Sequence, residues 1–260
     1  MSSSTPTVSS YPFVKKLAAN DRPTRDQALK ALSQFLKTNK HLDASQLNKL
    51  WKGLFYSMWF SDRPRTQQNL ANDLADLVQV VSKQNLIVFI TSFWTIMARE
   101  WDGIDQHRID KFYLLIRRYH AATLRRLRDE NWDEKLLFGY KEVMSTYPLN
   151  VKNGKIPNAL RLHMFDIYLD EIERVADESI RPTGNGTTKD DKSLQNFPME
   201  DLLEPVRNIA ENSPLKHIRE NAVKNVLQDK RLVEWGVVEE SHKGSEDDDE
   251  DEDEEWGGIE

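Results

Sequence analysis

Apolar residues recur at helical spacing along almost the whole chain. Leu29, Leu32, Phe35 and Leu36 make a first stripe. Ahead of them, Thr24-x-x-Gln27 reads as a capping box, in which the hydroxyl takes an orphan amide and the glutamine reaches back. Asp43 is placed to cap a second helix, where Leu47, Leu50, Trp51, Leu54, Phe55, Met58 and Trp59 follow i, i+3, i+4, i+7 spacing. Tyr56 and Phe60 add apolar character on other faces, so the end of this helix is expected to be deeply packed. Pro64 interrupts it, and Leu70, Leu74, Leu77, Val78 and Val81 mark a third helix. Residues 85–101 read as a fourth, although β-branched residues in the apolar run Leu86-Ile87-Val88-Phe89-Ile90 leave a strand open. The spans 105–130, 132–147 and 156–178 give three more helices. Residues 181–197 hold Pro182, Gly184-Asn185-Gly186-Thr187 and a Lys/Asp run, which reads as a flexible loop. Two shorter helices follow, near 199–212 and 214–231, the second with Ser213 as cap and Pro214 at the first helical position.

Helices thus recur about every 20 residues, as antiparallel pairs of roughly 40, the period of HEAT and armadillo arrays. The expected fold is all-α, an irregular HEAT/armadillo-like helical solenoid. No clean repeat consensus is visible, and a compact irregular bundle is the alternative; the number of helices and their short connections favour the solenoid. The expected organisation is a disordered N-terminus at 1–10, a helical body at 11–235 with a loop at about 181–197, and a disordered acidic tail at 236–260.

Composition narrows the function classes. Ten glycines and ten prolines in 260 residues are few for a sheet protein with many tight turns. The absence of cysteine excludes a disulfide framework, thiol catalysis and every Cys-ligated metal site. Met1 to Ser10 is Ser/Thr-rich without an apolar core, so no secretory signal is read there. No apolar run approaches the ~18 residues of a membrane span, so no membrane partner is expected. The net charge of −7 conceals a division. Glu246–Glu255 are ten consecutive acids and Glu260 adds another; without these eleven, 32 acids face 36 lysines and arginines. The body is mildly basic and the tail wholly acidic. Such a tail could bind basic proteins, screen the body's basic face or aid solubility, and Ser245 precedes it as a weak acidophilic-kinase pattern.

The chain lacks the common signatures of catalysis. It has no GxGxxG or GxxxxGK[ST] phosphate loop, no HExxH, no GxSxG and no EF-hand loop. His217-x-x-Glu220 is a metal pair without a second pair, better read as an exposed polar face. Asp166, Asp170 and Glu173 share one helical face and read as solvated rather than as acid–base groups. No enzyme activity, catalytic residue, metal, cofactor or small-molecule substrate is expected.

The strongest local feature is basic. Arg108, Lys111, Arg117, Arg118, Arg125, Arg126 and Arg128 stand against a single acid, Asp110. At about 100° per residue, Lys111, Arg118 and Arg125 fall in one stripe, widened by Arg117 and Arg128. Ile109, Phe112, Ile116, Tyr119 and Leu127 lie opposite. The helix is therefore expected to bury one side and present a cationic one. Arginine forks suit phosphate backbones, with energy from displaced counterions. The competing reading pairs the arginines with acids of neighbouring helices, with Glu100, Asp102, Asp105, Asp129, Glu130 and Asp133 available nearby, and residue chemistry alone divides the two evenly. At the end of the second helix, Asp62-Arg63-Pro64 is a helix stop, in which Arg63 can pair with Asp62 or with the helix C-terminus; Asp62 and Arg63 are a second candidate partner contact.

Long blocks carry a family resemblance. Leu50-Trp51-Lys52-Gly53-Leu54-Phe55-Tyr56-Ser57-Met58-Trp59-Phe60-Ser61-Asp62-Arg63-Pro64 resembles the signature of the eukaryotic ribosomal RNA-processing protein 1 family, the nucleolar Nop52-type proteins. A second block agrees, with Trp94, Arg99-Glu100-Trp101, Ile104-Asp105, Arg108-Ile109-Asp110-Lys111-Phe112-Tyr113 and Leu115-Ile116-Arg117-Arg118. A weaker third runs from Ile156-Pro157 through His163 to Tyr168-Leu169-Asp170-Glu171. The short chain and early acidic tail resemble a fungal member. The resemblance implies a non-enzymatic nucleolar factor of pre-60S particles, needed for processing the large-subunit rRNA precursor. It implies other pre-60S assembly factors and pre-ribosomal RNA as partners. An acidic-tailed chaperone for basic ribosomal proteins or histones is the alternative.

Overall fold

A computed structural model describes residues 16–17, 19, 21–37, 40–180, 194 and 196–239. The expected N-terminal segment 1–10, most of the loop at 181–197 and the acidic tail from 240 lie outside the described residues.

The described residues form helices and no strand. In chain order these are α1 (Arg22–Leu36), α2 (Ala44–Trp59), α3 (Pro64–Val80), α4 (Leu86–Glu100), α5 (Ile109–Asp129), α6 (Glu134–Thr146), α7 (Asn158–Ile180), α8 (Met199–Asn212), α9 (Lys216–Ala222) and the short α10 (Arg231–Glu234). A π-helical turn, Val223–Leu227, extends α9.

Local chemistry sets most boundaries. Asp43 caps α2, and its N–H donates to Gln46 Oε1 at 3.4 Å. Pro64 opens α3 at its first turn, where a missing N–H costs nothing. Asp133 accepts from the amides of Lys135 and Leu136 to start α6. Two expectations are corrected. The α1 cap is Asp21, whose carboxylate accepts from both the amide and the hydroxyl of Thr24 at 3.0 and 2.6 Å. Ser213 and Pro214 precede α9 without starting it; its N-cap is Leu215. The apolar run at 86–90 is helical.

From α1 to α9, each helix packs on the one two places along the chain. α1, α3, α5, α7 and α9 make one row, and α2, α4, α6 and α8 the other. This is the solenoid arrangement, in which a repeat meets mainly its neighbours. Aromatic side chains fill the seam between rows. Trp51 of α2 is fully buried, with ring centroids 5.1 Å from Phe89, 4.9 Å from Phe93 and 5.2 Å from Tyr119. Phe55 stacks on Phe112 at 4.6 Å.

Buried polar side chains lock the connections. Asn85, fully buried, accepts from the Leu42 amide at 3.0 Å and donates to Lys40 O at 2.9 Å, joining the α1–α2 connection to the α3–α4 connection. Arg161 holds the α6–α7 connection through the carbonyls of Asn150, Asn153 and Ile156. Gly236, at φ +68°, ends α10 in a left-handed cap, followed by a bond from the Val237 amide to Leu232 O at 2.8 Å.

His120 on α5 sits in the seam beside the rings of Tyr140 and Tyr168, and neither ring nitrogen has a hydrogen-bond partner among the described residues. Burial, aided by the charges of His163 and Arg174, pushes its pKa down to about 3. An unfolded imidazole takes its proton near pH 6.5 and the folded one does not. This contribution is therefore complete above pH ~6.5 and is lost as pH falls from there towards 3. In urea unfolding at pH 7 and pH 5, His120→Phe is expected to lose about 2 kcal/mol less than the parent between the two pH values. Equal losses would mean that His120 is not held neutral.

Candidate functional site

The basic helix is α5, in the middle of the odd-numbered row. The expected cationic side is not free. Lys111 is only 6% exposed, and its Nζ donates to Trp59 O and Ser61 O, both at 2.7 Å. It caps the C-terminus of α2, where unpaired carbonyls and the helix dipole favour a cation. A helix C-terminus was one of the two partners open to Arg63, the other being Asp62; Arg63 stands exposed as the N-cap of α3, next to exposed Asp62. Burial lowers the Lys111 pKa to about 8, against the field of Asp62 that raises it.

The arginines make ties to neighbouring helices. Arg117 Nε donates to Glu171 at 2.5 Å and its Nη2 to Asp170 at 3.0 Å, both on α7. Arg125 grips Glu178 of α7 with two bonds, of 2.7 and 2.9 Å. That bond raises the guanidinium pKa and lowers that of the carboxylate. Arg126 donates to Gln79 O of α3 at 2.8 Å and pairs with Glu130. Arg128 donates to Val175 O of α7 at 2.7 Å and pairs with Asp129. Arg108 pairs with Asp105 and lies over the Trp59 ring, 5.0 Å from its centroid. Arg118 differs. It is half-buried, has no carboxylate partner among the described residues, and its Nε has no hydrogen-bond partner among them.

The carboxylates of α7 complete the lattice. Glu171 is fully buried and is held by both Arg117 and Arg174. Asp170 and Glu173, expected to be solvated, bind Arg231 at 3.1 and 3.0 Å and so fasten α10. Asp166 accepts from Asn225 at 3.0 Å. His217 and Glu220 are exposed, and Glu220 pairs with Lys216. Among the described residues no three metal-ligating side chains come together, and no single helix is long and apolar enough to cross a membrane.

Sequence reasoning named the arginines and, among nearby acids, Asp105, Glu130 and Asp129, which do pair with Arg108, Arg126 and Arg128, but not Asp170, Glu171 and Glu178 of α7 as the partners of Arg117 and Arg125. It also missed Arg161 and Arg231, whose isolated positions carry no pattern.

A family model described as the nucleolar protein Nop52 matches residues 8–258. The chain belongs to the Nop52 family. Human ribosomal RNA processing protein 1 homolog B is 38% identical over 176 residues, 65% of this chain and 23% of that protein. Human homolog A is 30% identical over 253 residues, 90% of this chain and 52% of that protein. The Dictyostelium discoideum homolog is 29% identical over 188 residues, 65% of this chain and 38% of that protein. This Nop52-family chain therefore spans about a quarter to half the length of these curated relatives. Its basic helix, quoted above for the resemblance, is largely an interhelix tie.

Buried charges are costly to orphan and far less costly to replace. Arg117→Met with Arg174→Met should destabilise the fold by about 3 kcal/mol, the low end for a buried pair because both arginines are partly hydrated. Adding Glu171→Met should recover most of the loss. Urea unfolding of the parent, double and triple variants checks this; a triple variant no more stable than the double would refute the buried-carboxylate account.

Proposed function

We propose that the chain is a non-enzymatic scaffold of nucleolar pre-60S particles, acting in processing of the large-subunit rRNA precursor. In this reading it binds other assembly factors and pre-ribosomal RNA. The observation that carries it is the family match across residues 8–258, whose curated relatives are named for ribosomal RNA processing. The extended two-row body supports it, since a solenoid offers long surfaces to several partners.

RNA contact falls on the α5 surface, and Arg118 is its best-placed member. Arg108, Lys111, Arg117, Arg125, Arg126 and Arg128 already meet acids or carbonyls, so a phosphate would have to compete with these partners. Arg118 has no such competitor among the described residues. Asp62 and Arg63, exposed at the α2–α3 turn, are a second point of partner contact. Arg118→Glu should reduce ultraviolet crosslinking of the chain to precursor rRNA several-fold, leave its thermal midpoint unchanged, and make the residual binding less sensitive to salt. Full crosslinking by that variant would remove RNA from the proposal and leave protein scaffolding.

A further inference from the structure

A surface helix normally keeps charge on the side away from the core. α4 does not. From Leu86 to Ala98 it has no charged residue; the first are Arg99 and Glu100 at its end. One side is used in the core, with Leu86, Phe89, Ile90, Phe93, Trp94, Ile96 and Met97 all buried. The other side carries Ile87, Val88, Thr91, Thr95 and Ala98, each half-buried, at positions that share one helical stripe. Its two threonines ask little of water. Thr91 Oγ1 donates to Ile87 O at 2.7 Å, and Thr95 Oγ1 to Thr91 O at 2.8 Å. Hydroxyls satisfied by their own helix leave a stripe that behaves as apolar.

The neighbouring helix extends this surface. Gly139 lets α6 approach closely, since a Cβ there would lie 2.8 Å from Ile87 Cγ1. The preceding residue, Phe138, is 62% exposed, the highest value among the large apolar side chains described. One turn on, Lys141 reaches across to Asp201 and Glu204 of α8, at 2.7 and 2.5 Å. Beyond it, Glu200, Asp201, Glu204 and Glu211 line a shallow groove of about 360 Å³ with Arg207 and Asn208. With exposed Glu134 and Glu142, six carboxylates stand against three cations, Lys135, Lys141 and Arg207. The surface is thus an apolar stripe with an acidic border.

We propose that the outer face of α4 and α6 docks an amphipathic helix from a protein partner. The apolar side of that helix would cover Ile87, Val88, Thr91 and Phe138, and its basic flank would run along Glu142, Asp201 and Glu204. This rests on the scaffold reading above and assigns it a face. Complementary charge selects the occupant. Nucleic acid is disfavoured because its phosphates would meet a net acidic border. The chain's own acidic run, Glu246–Glu255, has the wrong sign. A second copy would bring two acidic borders to one interface.

A photo-reactive benzoylphenylalanine at position 138 of the full chain, irradiated within native particles, tests this. The expected product is a crosslink to one protein, in a segment whose basic residues recur every three or four positions. A second probe at position 91 should reach the same segment, and a probe at Asp177 on α7 should not. Glu204→Lys should cut the yield at position 138 at least threefold without shifting the thermal midpoint. Crosslinks to RNA, to another copy of the chain, or to no protein at all in particles that contain the chain would overturn the proposal. A chain absent from such particles would instead overturn the scaffold reading.

Discussion

The rest of the structure depends on the position of α5 between α3 and α7. A helix inside a row has neighbours on two sides, so its polar stripe cannot all face water. Long arginine side chains resolve this by lying across the neighbouring helices and ending on their acids or carbonyls. Arg126 reaches α3, while Arg117, Arg125 and Arg128 reach α7. Arg231 then carries the lattice from α7 to α10. The mildly basic body is in large part neutralised from within, which leaves its recognition chemistry to fewer and more particular sites.

The same economy governs the helix ends. The last turn of each helix leaves carbonyls without partners, and a buried connection must supply donors. Lys111, Asn85 and Arg161 do this at three different connections. Because a solenoid is stabilised between neighbours, each such lock fixes the angle at which the next helix pair joins. A surface spread over α4, α6 and α8 holds its shape only if those angles are fixed. These buried polar groups therefore bear on binding without touching a partner.

Much of the helical layout was legible because apolar spacing reports directly which side of a helix is buried. Trp51, Phe55 and Met58 follow that rule, and all are fully or almost fully buried. The ambiguity at 86–90 arose because α4 is apolar on both sides, which erases the period; the unusual outer face is the cause of the uncertainty. Periodicity says which residues share a face but not what lies opposite. Glu171 and Glu178 are 54 and 53 residues from Arg117 and Arg125, so spacing along the chain could not find them, whereas the nearby acids Asp105, Glu130 and Asp129 do pair, with Arg108, Arg126 and Arg128. Lys111 looked like part of an exposed stripe because nothing in its neighbours announces the end of α2. The cap at Asp21 was missed because Thr24-x-x-Gln27 offered a competing capping box, and that at Leu215 because Ser213 and Pro214 offered a competing start.

The arginines of α5 tie helices together, and Arg125 and Glu178 form a pair that can be exchanged. The most direct measurement is a charge swap, reading thermal midpoint and particle association for Arg125→Glu alone and together with Glu178→Arg. Arg125→Glu should lower both, since it sets a fourth acid beside Glu178, Asp76 and Asp129, and the double variant should restore both. A double variant that regains its thermal midpoint but not its particle association would contradict the account, because Arg125 would then be needed for contact with a partner rather than with α7.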